Sequence, residues 1–207
     1  MAKQGLLLVV SGPSGCGKGT VCSRLIQNPA FLLSVSATTR QPRPGEIPDV
    51  SYHYITKERF LELVEQDGFL EYNRYATGDM YGTLKEETER KLASGCNLIL
   101  EIDVNGARQI RARFPEAVLI MIAPPSMDEL ERRLRKRGTE TEESIAKRLR
   151  RAGEELKEAP GYDYLVVNES GEEGLQKTAD AIFAIVSAEC CKPRRKQELL
   201  SALNITK

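Results

Sequence analysis

A continuous apolar run, GLLLVVS at 5–11, passes directly into GPSGCGKGT at 12–20. No other feature constrains the fold as tightly. An uninterrupted apolar run of this length reads as a strand buried on both faces, the interior of a parallel sheet. Val21, Leu25 and Ile26 then mark a helix. Strand, glycine turn and helix in that order gather backbone N–H groups at a positive helix end, which is an anion site. Gly12, Gly15 and Gly17 let the main chain approach phosphate oxygens without a Cβ in the way. Pro13, Ser14 and Cys16 complete the loop, and Lys18 adds a mobile positive charge. The pattern G-x-x-x-x-G-K-[ST] holds through Lys18 and then fails, because Gly19 stands where a hydroxyl is usual. Thr20 lies one residue further on. A metal here would be held mainly by phosphate oxygens and water, which suits Mg²⁺.

Three more runs read as strands: NLILEID (97–103), AVLIMIA (117–123) and YLVVN (164–168). Helical spacing recurs between and after them, at Met127, Leu130, Leu134 and again at Leu175, Ala179, Ile182, Phe183, Val186. This alternation predicts an α/β fold with helices on both faces of a parallel sheet. Two stretches break the rhythm. Residues 37–90 are polar and tyrosine-rich and read as an insertion with its own small sheet. Residues 132–151 are too charged to cover a sheet and read as an exposed helical flap. The tail from 191 onward predicts a short helix after Pro193. The expected division is one domain over 1–207, with a core of about 1–36, 91–125 and 152–190, an insertion of about 37–90, a lid of about 126–151 and a tail at 191–207.

Composition narrows the function classes. With 41% apolar and 29% charged residues, the 207-residue chain is neither disordered nor membrane-like. The opening residues have no cleavage-site pattern and enter the first strand, so no leader is expected. Thirty basic residues balance thirty acidic ones, which argues against a dedicated nucleic-acid binder. The five cysteines match neither a zinc site nor a disulfide framework and read as reduced thiols of a cytoplasmic protein. The single histidine, His53, excludes multi-histidine metal sites and reads as structural or solvent-facing.

Arg40 and Arg43 lie three apart across Pro42, and two guanidinium forks held close suit a doubly charged phosphate; a solvated basic loop is the plain alternative. Glu101 and Asp103 are two apart at the carboxyl end of a strand, where ligands bind in open α/β sheets, so both are expected on one side. A structural alternative is that they cap a helix at 104–113.

The chain resembles the guanylate kinase family. The resemblance rests on GPSGCGKGT, SVSATTRQPRPGE, FLEY, MYGT, LEIDVNGA, IAPPS, RGTETEESIAKRL and YDYLVVN, in that order, and covers Gly5 to about Ala188. It implies a P-loop NTPase-type parallel sheet with flanking helices, an inserted α+β GMP-binding subdomain and a helical lid. It further implies transfer of the γ-phosphoryl group of ATP to GMP with Mg²⁺. Residues 12–20, with Arg133 and Asn168, would then bind ATP. Arg40, Arg43, Tyr52 and Tyr81 would bind the GMP phosphate. Ser36, Glu71 and Thr83 would read guanine, and Gly82 and Glu101 would also belong to the GMP site. Asp103 would help position GMP, and Glu101, with Thr20, would support a hydrated Mg²⁺. Lys18, Arg40, Arg137 and Arg148 would neutralise the moving phosphoryl group. The implied partners are the two nucleotides, with no nucleic acid or membrane, in a monomer or homo-oligomer.

The chemistry of guanine agrees with Glu71. N1–H and the 2-amino group form a donor pair that a carboxylate accepts and that adenine lacks. The GKGT ending, shared with adenylate kinases, leaves another nucleoside monophosphate kinase open, and a non-catalytic binding module is a second alternative. Three departures from the family pattern stand out. Gly19 replaces a serine. Ser51 stands where an aspartate often precedes the tyrosine. YATGDMYGT is one residue longer than usual, with Met80 in place of a second tyrosine, which could shift Tyr81 and Thr83.

Overall fold

The computed structural model describes residues 5–75, 77–136 and 141–203. The first apolar run forms β1 (Leu7–Ser11), and the loop leads into α1 (Lys18–Leu25) and β2 (Phe31–Leu33). The insertion supplies β3 (Ala37–Thr38), β4 (His53–Tyr54), α2 (Lys57–Glu65), β5 (Phe69–Arg74) and β6 (Met80–Leu84). The chain returns through α3 (Lys85–Ala93), β7 (Asn97–Glu101), α4 (Val104–Arg113) and β8 (Val118–Ala123). The flap is α5 (Met127–Lys136) and α6 (Glu142–Leu156), followed by β9 (Tyr164–Val167), α7 (Gly171–Cys190) and, in the tail, α8 (Gln197–Ala202).

The main sheet is parallel, in the order β2-β7-β1-β8-β9. β1 is paired on both sides, which explains its unbroken apolar sequence. Side-chain alternation divides it between two cores. Leu8 and Val10 pack with α1 and α7 residues such as Leu25, Ala179 and Ile182. Leu7 and Val9 pack with Ala107 and Ile110 of α4 and Leu92 of α3. The edge strand β9 alternates instead, with Val166 buried and Leu165 and Val167 exposed. The family-type α/β fold expected from the sequence is the one observed.

Some local expectations are corrected. The sheet has a further edge strand, β2, too short to read as a run; it pairs along Asn97–Ile99 of β7. α1 ends at Leu25, and Ile26 is exposed beyond it. The flap is not merely solvated: Leu130 and Leu134 of α5 are fully buried, packed with Leu149 and Ala152 of α6. α6 runs unbroken past 151 to Leu156.

The insertion has its own sheet, β4-β3-β6-β5, and its own core of Ala37, Phe60, Phe69 and Met80, with the Phe60 and Phe69 rings stacked 4.4 Å apart. Met80 is thus a packing residue. The hairpin between β5 and β6 is closed by Tyr75 N–H donating to the Asp79 carbonyl at 2.9 Å. Across that hairpin Asn73 pairs with Tyr81 and Glu71 with Thr83. The Ser51 hydroxyl accepts from Ile47 N–H at 3.0 Å, a turn-closing role. The buried Glu189 of α7 accepts from Tyr164 of β9 at 2.7 Å and from Arg195 of the tail at 3.3 Å, which clamps the segment after α7 to the sheet edge. Among the described residues no helix is long and apolar enough to cross a membrane.

Candidate active site

The loop between β1 and α1 curls over the carboxyl ends of the strands. Gly12, Gly15 and Gly17 all take positive φ, at 139°, 96° and 91°. Gly17 is the left-handed cap of α1, and a Cβ there would lie 2.4 Å from Asn168 Nδ2. Glycine is required by conformation and by space. Pro13 is buried and Ser14 exposed. Lys18 Nζ donates to the carbonyls of Gly12 at 2.7 Å and Pro13 at 3.1 Å, which holds its charge over the loop.

The loop is braced from behind. Asn168 Nδ2 donates to the Cys16 carbonyl at 2.8 Å, and its Oδ1 accepts from Thr178 at 3.1 Å. Arg133 donates to the Asn168 carbonyl at 2.8 Å and reaches the Cys16 carbonyl at 3.4 Å, while Glu129 holds its Nε at 2.8 Å. The two residues expected near adenine therefore converge on one loop carbonyl. Leu130 and Leu134 press on the same loop, each 3.0 Å from where a Cβ on Gly15 would sit. Cys16 is fully buried, and burial pushes its thiol up, away from the reactive thiolate. Arg148 reaches the loop from the flap, donating to Ser14 Oγ at 3.3 Å. Arg137 lies outside the described residues.

The acidic pair parts company. β7 ends at Glu101, and Asp103 is the cap of α4, accepting from the N–H groups of Asn105 and Gly106 at 3.0 Å each. Both were expected to follow one strand's alternation, but the strand stops between them and Asp103 takes the cap instead. Both Glu101 oxygens lie 3.6 Å from the place of a Cβ on Gly19, beside the loop and the exposed Thr20. Asp103 turns toward the insertion and accepts from Tyr75 at 2.8 Å and Asn73 at 3.2 Å. Arg151 of the flap lies 3.8 Å from it. The capping alternative thus holds for Asp103 alongside its place in the cleft.

On the insertion, Glu71 is 4% exposed and takes a hydrogen bond from Thr83 at 2.7 Å. Burial raises its carboxyl to about 7, against the Thr83 hydrogen bond, and the charge of Asp103 adds to the rise. Gly106 makes room for it, since a Cβ there would lie 2.7 Å from Glu71 Oε2. Thr83 spends its proton on Glu71, so of the two expected hydroxyls Ser36 keeps its proton among the described residues. Gly82 faces the Phe69 ring, 2.7 Å from the place of its Cβ, and serves packing. Arg40 donates from Nε to the Tyr81 hydroxyl at 2.9 Å, and the Tyr52 ring lies 5.3 Å from its guanidinium carbon. Glu46 holds the fork of Arg40 at 2.8 and 2.9 Å.

The family model for guanylate kinase matches residues 4–185. The chain belongs to the guanylate kinase family. It is 47% identical over 193 residues to a guanylate kinase of Desulfitobacterium hafniense (strain Y51), covering 93% of this chain and 94% of that one. It is 46% identical over 198 residues to a guanylate kinase of Caldanaerobacter subterraneus, covering 95% and 94%. The crystal structure of guanylate kinase from Anaplasma phagocytophilum superposes with a TM-score of 0.77 at 31% identity, covering 100% of this chain and 98% of that one. Glu46, Tyr54, Asn73, Tyr75 and Arg151 were not singled out from the sequence, yet each contacts a residue that was: Arg40, Tyr52 or Asp103. Each meets its partner across a loop or from another element. The one local signal was the clustering of tyrosines with Arg40 and Glu46 in the insertion.

Proposed function

We propose that the protein transfers the γ-phosphoryl group of ATP to GMP, giving ADP and GDP. The observation that carries this reading is the nearly buried Glu71–Thr83 pair set against Gly106 of α4. From there the path to the loop is short: Asp103 caps the same helix, and Glu101, two residues earlier, lies over Gly19. A carboxylate that takes N1–H and the 2-amino group selects guanine, and adenine would leave it buried and unpaired.

The acceptor phosphate brings its own nucleophile. Its second pKa is about 6, so it is largely dianionic near neutral pH and needs no general base. His53, held by Asp49 at 2.7 Å and Glu87 at 2.9 Å, has no step to perform. Catalysis then comes from positioning and charge neutralisation. The loop N–H groups and Lys18 hold the donor phosphates. Arg148 reaches them from the flap, with Arg137 as a further candidate. Arg40, Arg43, Tyr52 and Tyr81 hold the acceptor, and closure of insertion and flap excludes water as a competing acceptor. Asn168 and Arg133 act by bracing the loop.

Among the described residues no group of three or more His, Cys, Asp or Glu side chains is arranged to hold a metal. The Thr20 hydroxyl and the Glu101 carboxylate are hard oxygen donors beside the loop and fit Mg²⁺ carried largely by the nucleotide. Bound there, Mg²⁺ would supply charge stabilisation to the phosphates.

The test is ADP release from ATP with Mg²⁺, with and without GMP, and with AMP, CMP or UMP in its place. GMP-dependent ADP release is expected. Preference for another base would overturn the acceptor assignment, and absence of turnover with tight GMP binding would favour a binding module.

A further inference from the structure

Glu46 was not among the residues expected in the site, yet it is the most heavily engaged group of the Arg40 loop. Its carboxylate accepts from Arg40 Nη1 at 2.9 Å and Nη2 at 2.8 Å, from Arg43 N–H at 2.7 Å and from the Tyr54 hydroxyl at 2.7 Å. The Arg40 and Glu46 side chains are 11% and 22% exposed, so the pair is largely removed from solvent.

The donors of Arg40 can be accounted for one by one. A guanidinium has five N–H groups. Nε–H goes to the Tyr81 hydroxyl, one Nη1–H to the Gln41 carbonyl, and one each from Nη1 and Nη2 to Glu46. A single Nη2–H remains among the described residues. Tyr54 has given its proton to Glu46, whereas Tyr81 accepts from Arg40 and keeps its own. The guanidinium of Arg43 has no protein partner among the described residues, although its backbone N–H is tied to Glu46.

We propose that Glu46 is a positioning residue of the acceptor site: its carboxylate fixes the Arg40 guanidinium in one orientation and ties the Arg43 loop to it, so that a phosphate monoester meets a preset group of donors. Those donors are the remaining Arg40 N–H, the Arg43 guanidinium and the hydroxyls of Tyr52 and Tyr81. The proposal rests on the reading of this cleft as the GMP site. A phosphate that displaced Glu46 would gain the Arg40 fork, but it would strand the Arg43 N–H and the Tyr54 hydroxyl, and it would break a sheltered charged pair. The carboxylate therefore stays in place. Its acid form is remote from neutral pH, because Arg40 first, then the Arg43 N–H and Tyr54, hold it at about 2.

The experiment uses the full chain and compares wild type with Glu46→Gln, Glu46→Asp and Tyr54→Phe. Steady-state kinetics and calorimetric titration are run with GMP and, separately, with guanosine, which lacks the phosphate. Glu46→Gln is expected to raise KM and Kd for GMP on the order of tenfold. The KM for ATP and the affinity for guanosine should stay within about twofold. Glu46→Asp should recover part of the loss, and Tyr54→Phe should shift GMP the same way by less. Tighter GMP binding by Glu46→Gln would make the carboxylate a competitor of the phosphate and overturn the proposal. Equal weakening of GMP and guanosine would reduce Glu46 to a structural role, and unchanged GMP constants would remove it from the site. If Glu46→Gln does not fold, the same outcomes are read from Glu46→Asp and Tyr54→Phe. Wild-type activity on GMP separates the two levels: if present with an inert Glu46, only this inference fails, and if absent, the acceptor reading falls with it.

Discussion

The phosphate loop and the insertion both serve anions, but they are built from different materials. The loop is backbone: glycines at positive φ, N–H groups at the start of α1, and a carbonyl braced by Asn168 and Arg133. The insertion is side chain: Arg40 against Tyr81 and Glu46, Glu71 against Thr83, Asp103 against Asn73 and Tyr75. A backbone site gains little freedom from any one residue and holds its shape through the sheet behind it. A side-chain site is only as ordered as its partners, and its charge state is adjustable. Such a division suits an enzyme that holds one nucleotide by its phosphates and must identify the other by its base.

The sharpest way to break this comparison is Lys18→Ala. If the loop is a frame and Lys18 its mobile charge, kcat/KM should fall ~10³-fold while stability changes by about 1–2 kcal/mol. Kinetics with a thermal melt check it, and a melt that collapses in step with activity would make Lys18 part of the frame.

Glu71→Gln probes the side-chain region. Discrimination for GMP over AMP should drop by about 1.5–3 kcal/mol. The pH dependence carries a definite sign. Glu71 lies near 7 in the folded chain, above the ordinary value of about 4.3. Guanine donors need the carboxylate, so affinity for guanosine should weaken as pH falls below about 7, and Glu71→Gln should flatten that profile. The same shift means the fold binds the proton more tightly than the unfolded chain. Stability from this group is present below about 4 and is lost as pH rises through about 7. The wild-type melt should show that slope and the Gln variant should not.

Asn168→Ala removes the brace and leaves the Cys16 carbonyl without its buried donor. A loss of about 1–2 kcal/mol is expected in denaturant unfolding, with KM for ATP raised and KM for GMP unmoved. Equal changes in both constants would mean that the two regions are not separable. The smallest effect belongs to Gly19→Ser. The place of its Cβ is 3.6 Å from Glu101, an ordinary contact, and φ is not positive there. Folding should be unchanged within about 0.5 kcal/mol. A Mg²⁺ titration of activity should shift by less than about twofold, and a larger gain would show that the missing hydroxyl matters.

How much was legible follows from the same contrast. The loop could be read because its chemistry is local: glycine spacing, a preceding apolar run and a following helix lie within residues 5–26. The unbroken apolar run of β1 likewise announced a sheet covered on both faces. The identities of Glu71, Thr83, Arg40 and Tyr81 were available through motif resemblance, but their pairings were not. Arg40 meets Tyr81 across 41 residues, and Asp103 meets Asn73 across 30. No spacing rule spans such separations.

Sequence by itself determined the sheet, the glycine loop and the placing of a polar, tyrosine-rich segment between strands, because backbone conformation and apolar periodicity are properties of neighbouring residues. Tertiary structure alone decided that Glu101 and Asp103 face different clusters, that Asn168 and Arg133 hold a carbonyl, and that Glu46 takes the Arg40 fork. Those outcomes depend on which strand ends first and which loop folds over which helix. Burial and charge pairing are settled only when distant parts of the chain share the same space.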